Sequence, residues 1–120
     1  MAYEVGTQFV SVPASADLST KQFYFGTVNA SGQVAVVGAA LAADGVIGDK
    51  PAAQGRPCAM QTMPGQIARV QAGAAFANGA LLEADATGRA VTQAAGKILA
   101  KALAAATAAA PVSQACRVRT

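Results

Sequence analysis

A four-residue device occurs twice in this chain. Asn29-Ala30-Ser31-Gly32 and Asp85-Ala86-Thr87-Gly88 match in type at every position and stand 56 residues apart. Asn or Asp at the first position accepts hydrogen bonds from the backbone ahead of it, and Gly at the last supplies a positive φ. Each device lies between runs that read as strands. Residues 22–28, Gln-Phe-Tyr-Phe-Gly-Thr-Val, are rich in aromatic and β-branched side chains, and residues 33–37 return. Alternation along 22–28 predicts Phe23 and Phe25 on one side and Tyr24 on the other. Around the second device stand residues 80–84 and 89–92. Two hairpins are therefore expected, and Asn78-Gly79 signals a further turn.

Weaker echoes follow each hairpin. Gly45-Val46-Ile47-Gly48 is matched by Gly96-Lys97-Ile98-Leu99, and residues 63–70 are matched by residues 110–118. The offsets drift by several residues. A two-fold pseudo-repeat and the chance recurrence of turn chemistry in an Ala/Gly-rich chain both remain open. Short strands punctuated by Gly and Pro predict a mostly-β fold, a small β-barrel or β-sandwich of short hairpins with at most a short helix. The ambiguous stretch is 94–110. Propensity favours a helix there, whereas the repeat favours a strand over 97–103 and leaves 104–110 open. The expected organisation is an extended N-terminal arm, residues 1–20, followed by a single β domain, residues 21–120.

Composition limits how such a domain is held together. Ala fills 32 of the 120 positions, whereas Leu, Ile, Val and Phe together number 25. At about 25 cal/mol per Å² of buried apolar surface, an alanine core gains much less than a core of Leu and Phe. Extra burial against neighbouring molecules is therefore expected. The arm carries spaced large groups, Tyr3, Val5, Phe9, Val10 and Val12. Such a segment suits strand addition to a partner's sheet edge; a frayed terminus is the alternative.

Little in the chain points to catalysis. There is no His, which excludes a His-based triad and a His-ligated zinc. Cys58 and Cys116 are too few for a four-thiolate site and read as small core residues. Glu83 and Asp85 would share one side of a strand, but a turn and a strand end account for them. Asp44 and Asp49 lack the ligand number of a calcium loop. A formal charge of +3 is too weak to argue for nucleic acid. Arg69, Arg89, Arg117 and Arg119 would form a basic face if the repeats align. The start of the chain lacks a secretory pattern and the alanine tract is too polar to span a membrane, so a soluble protein with free thiols is expected.

The segment Ala16-Asp17-Leu18-Ser19-Thr20-Lys21-Gln22-Phe23-Tyr24-Phe25, followed by the turn at 29–32, resembles the opening of bacteriophage capsid cement proteins, also called head decoration proteins. Ala77-Asn78-Gly79-Ala80-Leu81-Leu82, the hairpin at 85–91 and the apolar stretch after Gly96 follow that family's order. The resemblance runs over about residues 3–119. It departs where the family often has Gly, at Ala100 and at Ala108-Ala109-Ala110-Pro111. The resemblance implies a non-enzymatic protein without cofactors, made in the bacterial host cytoplasm and placed on the outer face of an icosahedral head. It implies the major capsid protein as partner, self-association as a trimer at capsomer junctions, and stabilisation of the expanded shell, without direct contact to nucleic acid or membrane. The arm residues Tyr3, Val5, Phe9, Val10 and Val12 are then the expected capsid contacts. A phage tail or fibre component, and a small β-barrel enzyme or ligand carrier, are the alternatives; the latter needs a pocket lined by Glu83, Asp85 and an Arg.

Overall fold

In a computed structural model of the chain, the described residues are 10–39, 41–61, 67–103, 105–106 and 112–117. They form ten short strands: β1 (Val10–Pro13), β2 (Phe25–Val28), β3 (Val34–Val36), β4 (Gly45–Ile47), β5 (Pro57–Gln61), β6 (Ile67–Gln71), β7 (Leu81–Ala84), β8 (Ala90–Thr92), β9 (Ala100–Ala102) and β10 (Val112–Arg117). All ladders are antiparallel. Among the described residues there is no helix.

The strands build two five-stranded sheets, ordered β1-β5-β4-β2-β3 and β6-β10-β9-β7-β8. Adding five to each label of the first order gives the second, so the two halves share one topology. The likeness reaches single hydrogen bonds. The N–H of Tyr24 donates to Lys21 O and that of Ala80 to Ala77 O. Ile47 donates to Tyr24 O, and Ala102 to Ala80 O. In each half one parallel bridge, Ala14 to Val34 or Ala72 to Ala90, joins the two outermost strands. Each sheet therefore curls until its edges touch at one point. A single bridge is not a ladder, so the expected barrel does not close.

The equivalent pairs also explain the drift of the sequence echoes. Ala14 and Ala72 are 58 apart, Gly32 and Gly88 56, and Ile47 and Ala102 55. The true counterpart of Val46-Ile47 is thus Lys101-Ala102, not Lys97-Ile98. The strand expected over 97–103 is confined to β9, and Leu99 instead donates its N–H to Leu82 O. The strand expected over 22–28 begins only at Phe25. Phe23 adopts a left-handed φ of 72°, which ends the alternation that would have set it beside Phe25. This conformation lets its N–H reach Ile47 O at 2.6 Å and its carbonyl accept the Gln71 N–H at 3.0 Å, tying the two halves together.

Two apolar clusters hold the fold. The smaller is private to the first half: Ala14, Leu18, Val34, Ile47, Cys58 and Met60, flanked by Val12, Tyr24 and Val36. The larger contains the second half's interior, including Val70, Phe76, Leu82, Leu99 and many alanines, together with Phe25, Val37, Ala43 and Val46 of the first half. The second half is alanine-built and borrows its bulk from its neighbour. This is the shortage of large side chains made visible.

Candidate interaction surface

β1 forms an outer strand of the first sheet. It pairs with β5, with Val10 opposite Met60 and Val12 opposite Cys58. On its other side it meets β3 through the bridge at Ala14. An outer strand presents backbone donors and acceptors to whatever lies beside it, and Pro13, which has no N–H, limits how far a partner strand can extend. Of the five expected contact residues, Tyr3, Val5 and Phe9 lie outside the described residues. Val10 is 48% exposed and offers its apolar surface outward. Val12 packs against the smaller cluster, so its side chain is already engaged.

Among the described residues, four further large apolar side chains are exposed: Val28, Leu41, Leu81 and Leu103. None of them was singled out from sequence as a contact. The available signal was Lys101, which stands opposite Leu81 in the ladder and breaks the apolar run from Ile98 to Leu103. A lysine there requires that face of β9 to reach water.

Of the four arginines expected to share a basic face, Arg69 and Arg89 have described side chains. Arg69 lies over the Phe23 ring at 6.0 Å, and its Nε is buried without a hydrogen-bond partner. Arg89 pairs with Asp85 at 3.2 Å. The Arg117 side chain and Arg119 lie outside the described residues.

The carboxylates are occupied with structure. Asp85 Oδ1 accepts the N–H groups of Thr87 and Arg89, both at 2.9 Å, and the Thr87 hydroxyl. Burial pushes its pKa up, but those donors and the Arg89 charge outweigh it and hold the carboxyl below its ordinary value. Glu83 is buried and accepts the Ala94 N–H at 2.6 Å. Asp44 accepts the Val28 N–H at 2.8 Å and the Thr27 hydroxyl at 3.0 Å. Among the described residues no group of three His, Cys, Asp or Glu stands close enough to hold a metal. Burial, with the nearby charge of Asp49, pushes the Cys58 thiol up to about 11, so it remains protonated and unreactive.

A cleft of about 260 Å³ is lined by Ser19, Thr20, Gln22, Phe23, Lys50 and Gln71. Ligand sites are commonly larger, on the order of 300–1,000 Å³, and mostly apolar. This cleft has one aromatic wall, and neither Glu83 nor Asp85 lines it. The surface offers strand edges and isolated aliphatic side chains, the chemistry of adhesion to another protein. Among the described residues, no helix is long and apolar enough to cross a membrane.

No curated protein and no solved structure matches the chain. A family model described as phage cement protein does match it, over residues 14–120. The matched stretch contains both halves of the duplicated fold and all ten strands except β1. The chain therefore belongs to the phage cement protein family, whose members are structural components of the phage capsid and not enzymes.

Proposed function

We propose that this protein decorates the outer surface of an icosahedral phage head at the junctions between capsomers. It binds the major capsid protein through its N-terminal residues, Tyr3, Val5, Phe9 and Val10, with the main chain at Val12 as a strand contact. Assembled as a trimer, it reinforces the expanded shell against the outward pressure of packed DNA. The observation that carries this reading is the family match joined to an outer strand, β1, which leads directly out of residues 1–9 and exposes Val10. Strand addition gives main-chain hydrogen bonds, and alternate side chains give specificity. Many symmetric copies on one shell multiply a weak contact through avidity. An alanine-rich interior gains little per residue, so burial against neighbours is a useful addition to it.

The test is sedimentation of purified protein with and without undecorated capsids, using the full chain and a variant lacking residues 2–9. That deletion stops short of β1 and of buried Ala14, which the fold requires. The full chain should pellet only with capsids, at a stoichiometric ratio. The truncated chain should keep its β-type circular dichroism and stay in the supernatant. Pelleting of the truncated chain at full occupancy would remove the arm from the account. A full chain that ignores capsids would overturn the reading itself.

A further inference from the structure

The two halves carry the same ladder with different exposure. Phe25 stands opposite Val46 in the first sheet, and Leu81 stands opposite Lys101 at the same place in the second. Phe25 and Val46 are 0% and 1% exposed, within the cluster that contains the second half's interior, whereas Leu81 is 42% exposed and Lys101 faces water. At the hairpin ends the contrast runs the other way. Ala84 is 2% exposed and its counterpart Val28 is 40% exposed. A Cβ on Gly88 would collide with Val36 and lie 3.3 Å from Phe25 O and 3.5 Å from Val37 O, while one on Gly32 would meet nothing within 4 Å. The Phe25 N–H donates to Gly88 O at 2.9 Å.

These facts describe one joint. The outer face of the first half lies over the hairpin end of the second. The first half's own hairpin end has no such cover, and the second half's own outer face covers nothing. The chain makes the joint once and leaves one example of each complementary surface open.

We propose that copies of this chain join head to tail, the hairpin end of one (Val28, Asn29, Gly32, Asp44) seating on the outer face of the next (Leu81, Lys101, Leu103). The contact repeats between molecules the joint that already holds the two halves together. Charge supports this occupant. Lys101 stands where the covered face has Val46. Asp44, held at the Val28 N–H, stands where the covered end has Leu99, since Asp44 donates to Gly26 O as Leu99 donates to Leu82 O. A cation on one open surface and an anion on the other replace two apolar residues of the closed joint, which favours the pairing of unlike surfaces and opposes that of like ones. The two surfaces differ, so the contact is heterologous. It produces a ring of three or more copies or an open filament, not a two-fold dimer. This names the surface on which self-association rests and does not depend on capsid binding.

The test uses the purified full chain without capsids, with mass read by light scattering and folding checked by circular dichroism. The wild-type chain should form a species of three or more copies. Leu81→Arg blocks one surface and Val28→Arg the other, and each variant alone should be monomeric. Mixed in equal amounts they retain one good surface apiece and should give a one-to-one dimer that grows no further. A monomeric wild type, variants that assemble like wild type, or a mixture that stays monomeric would each overturn the proposal. Lys101→Glu, a change at a water-facing position, is the second variant should an arginine unfold the chain. It should weaken association at least about tenfold by opposing Asp44, and unchanged association would overturn the proposal.

Discussion

Ile47 occupies the space that a side chain at position 26 would need. A Cβ on Gly26 would lie 2.9 Å from Ile47 Cγ1 and 3.4 Å from Met60 Cε. In the second half the same place is filled from the other side: Leu82 stands at the position of Gly26, and Ala102 at that of Ile47. Overpacking of a filled core costs about 1–3 kcal/mol, which is the destabilisation expected for Gly26→Ala. Ile47→Ala alone should cost about 2–5 kcal/mol through the cavity it leaves. The double variant should cost less than the sum, because each change makes room for the other. Urea denaturation of the four proteins checks this.

Gly32 and Gly88 both hold a positive φ, 74° and 85°. Alanine at either position bears the left-handed backbone penalty of about 1 kcal/mol. Only Gly88 also faces Val36 and two carbonyl oxygens across the joint. Gly88→Ala should therefore destabilise by at least about 2 kcal/mol more than Gly32→Ala. Equal losses in thermal or urea unfolding would show that the joint yields freely.

The turn residues, both hairpins and the mostly-β class were legible in the sequence because their signals are local: a side-chain acceptor, a glycine, a run of β-branched residues. The counterpart of β4 was legible as a strand within 97–103 but not in its register. Val46-Ile47 and Lys101-Ala102 occupy equivalent places yet share no hydropathy. Val46 is covered by the other half and Lys101 by water, while Ile47 and Ala102 exchange volume with Gly26 and Leu82. Phe23 failed for a similar reason: its left-handed backbone is set by bonds to Ile47 and Gln71, 24 and 48 residues away. As for the candidate surface, Val10 and Val12 could be named from sequence, but only the register shows that one is offered outward and the other engaged. Leu81 and Val28 become meaningful only beside their buried counterparts.

Asp85 ties its turn together through Thr87 and Arg89, and its carboxyl titrates below the ordinary aspartate value. The unfolded chain binds the proton more readily than the folded one. The stabilisation is therefore complete above about pH 4–5, where an unfolded aspartate is ionised, and is lost as the pH falls through the lower folded pKa. Asp85→Asn should show a shallower loss of stability between pH 7 and pH 3 than wild type. At neutral pH it should be mild, since Asn29 makes the equivalent bonds in the first half. Asp85→Ala leaves those donors without their acceptor and should cost about 1–2 kcal/mol at neutral pH. Denaturation curves across pH are the measurement.

Cys58 should resist thiol reagents in the folded protein. With its pKa raised from 9.0 to about 11, its thiolate population at pH 8 is about a hundredfold below that of an ordinary thiol, and its side chain is buried besides. In a Cys116→Ser background, labelling by a disulfide reagent at pH 8 should proceed only as fast as the protein opens. It should become immediate in denaturant. Rapid labelling in buffer would contradict the packing of the smaller cluster.

The larger apolar cluster crosses the midline of the chain, and this governs how the molecule comes apart. Duplicated architectures often melt in two steps, each half as its own unit. Here Phe25, Val37, Ala43 and Val46 belong to the neighbour's interior, so opening the first half strips bulk from the second. The alanine-built half has too little of its own to outlast that loss. Calorimetry should record a single cooperative endotherm, and a fragment cut free after residue 61 should leave its counterpart without independent structure.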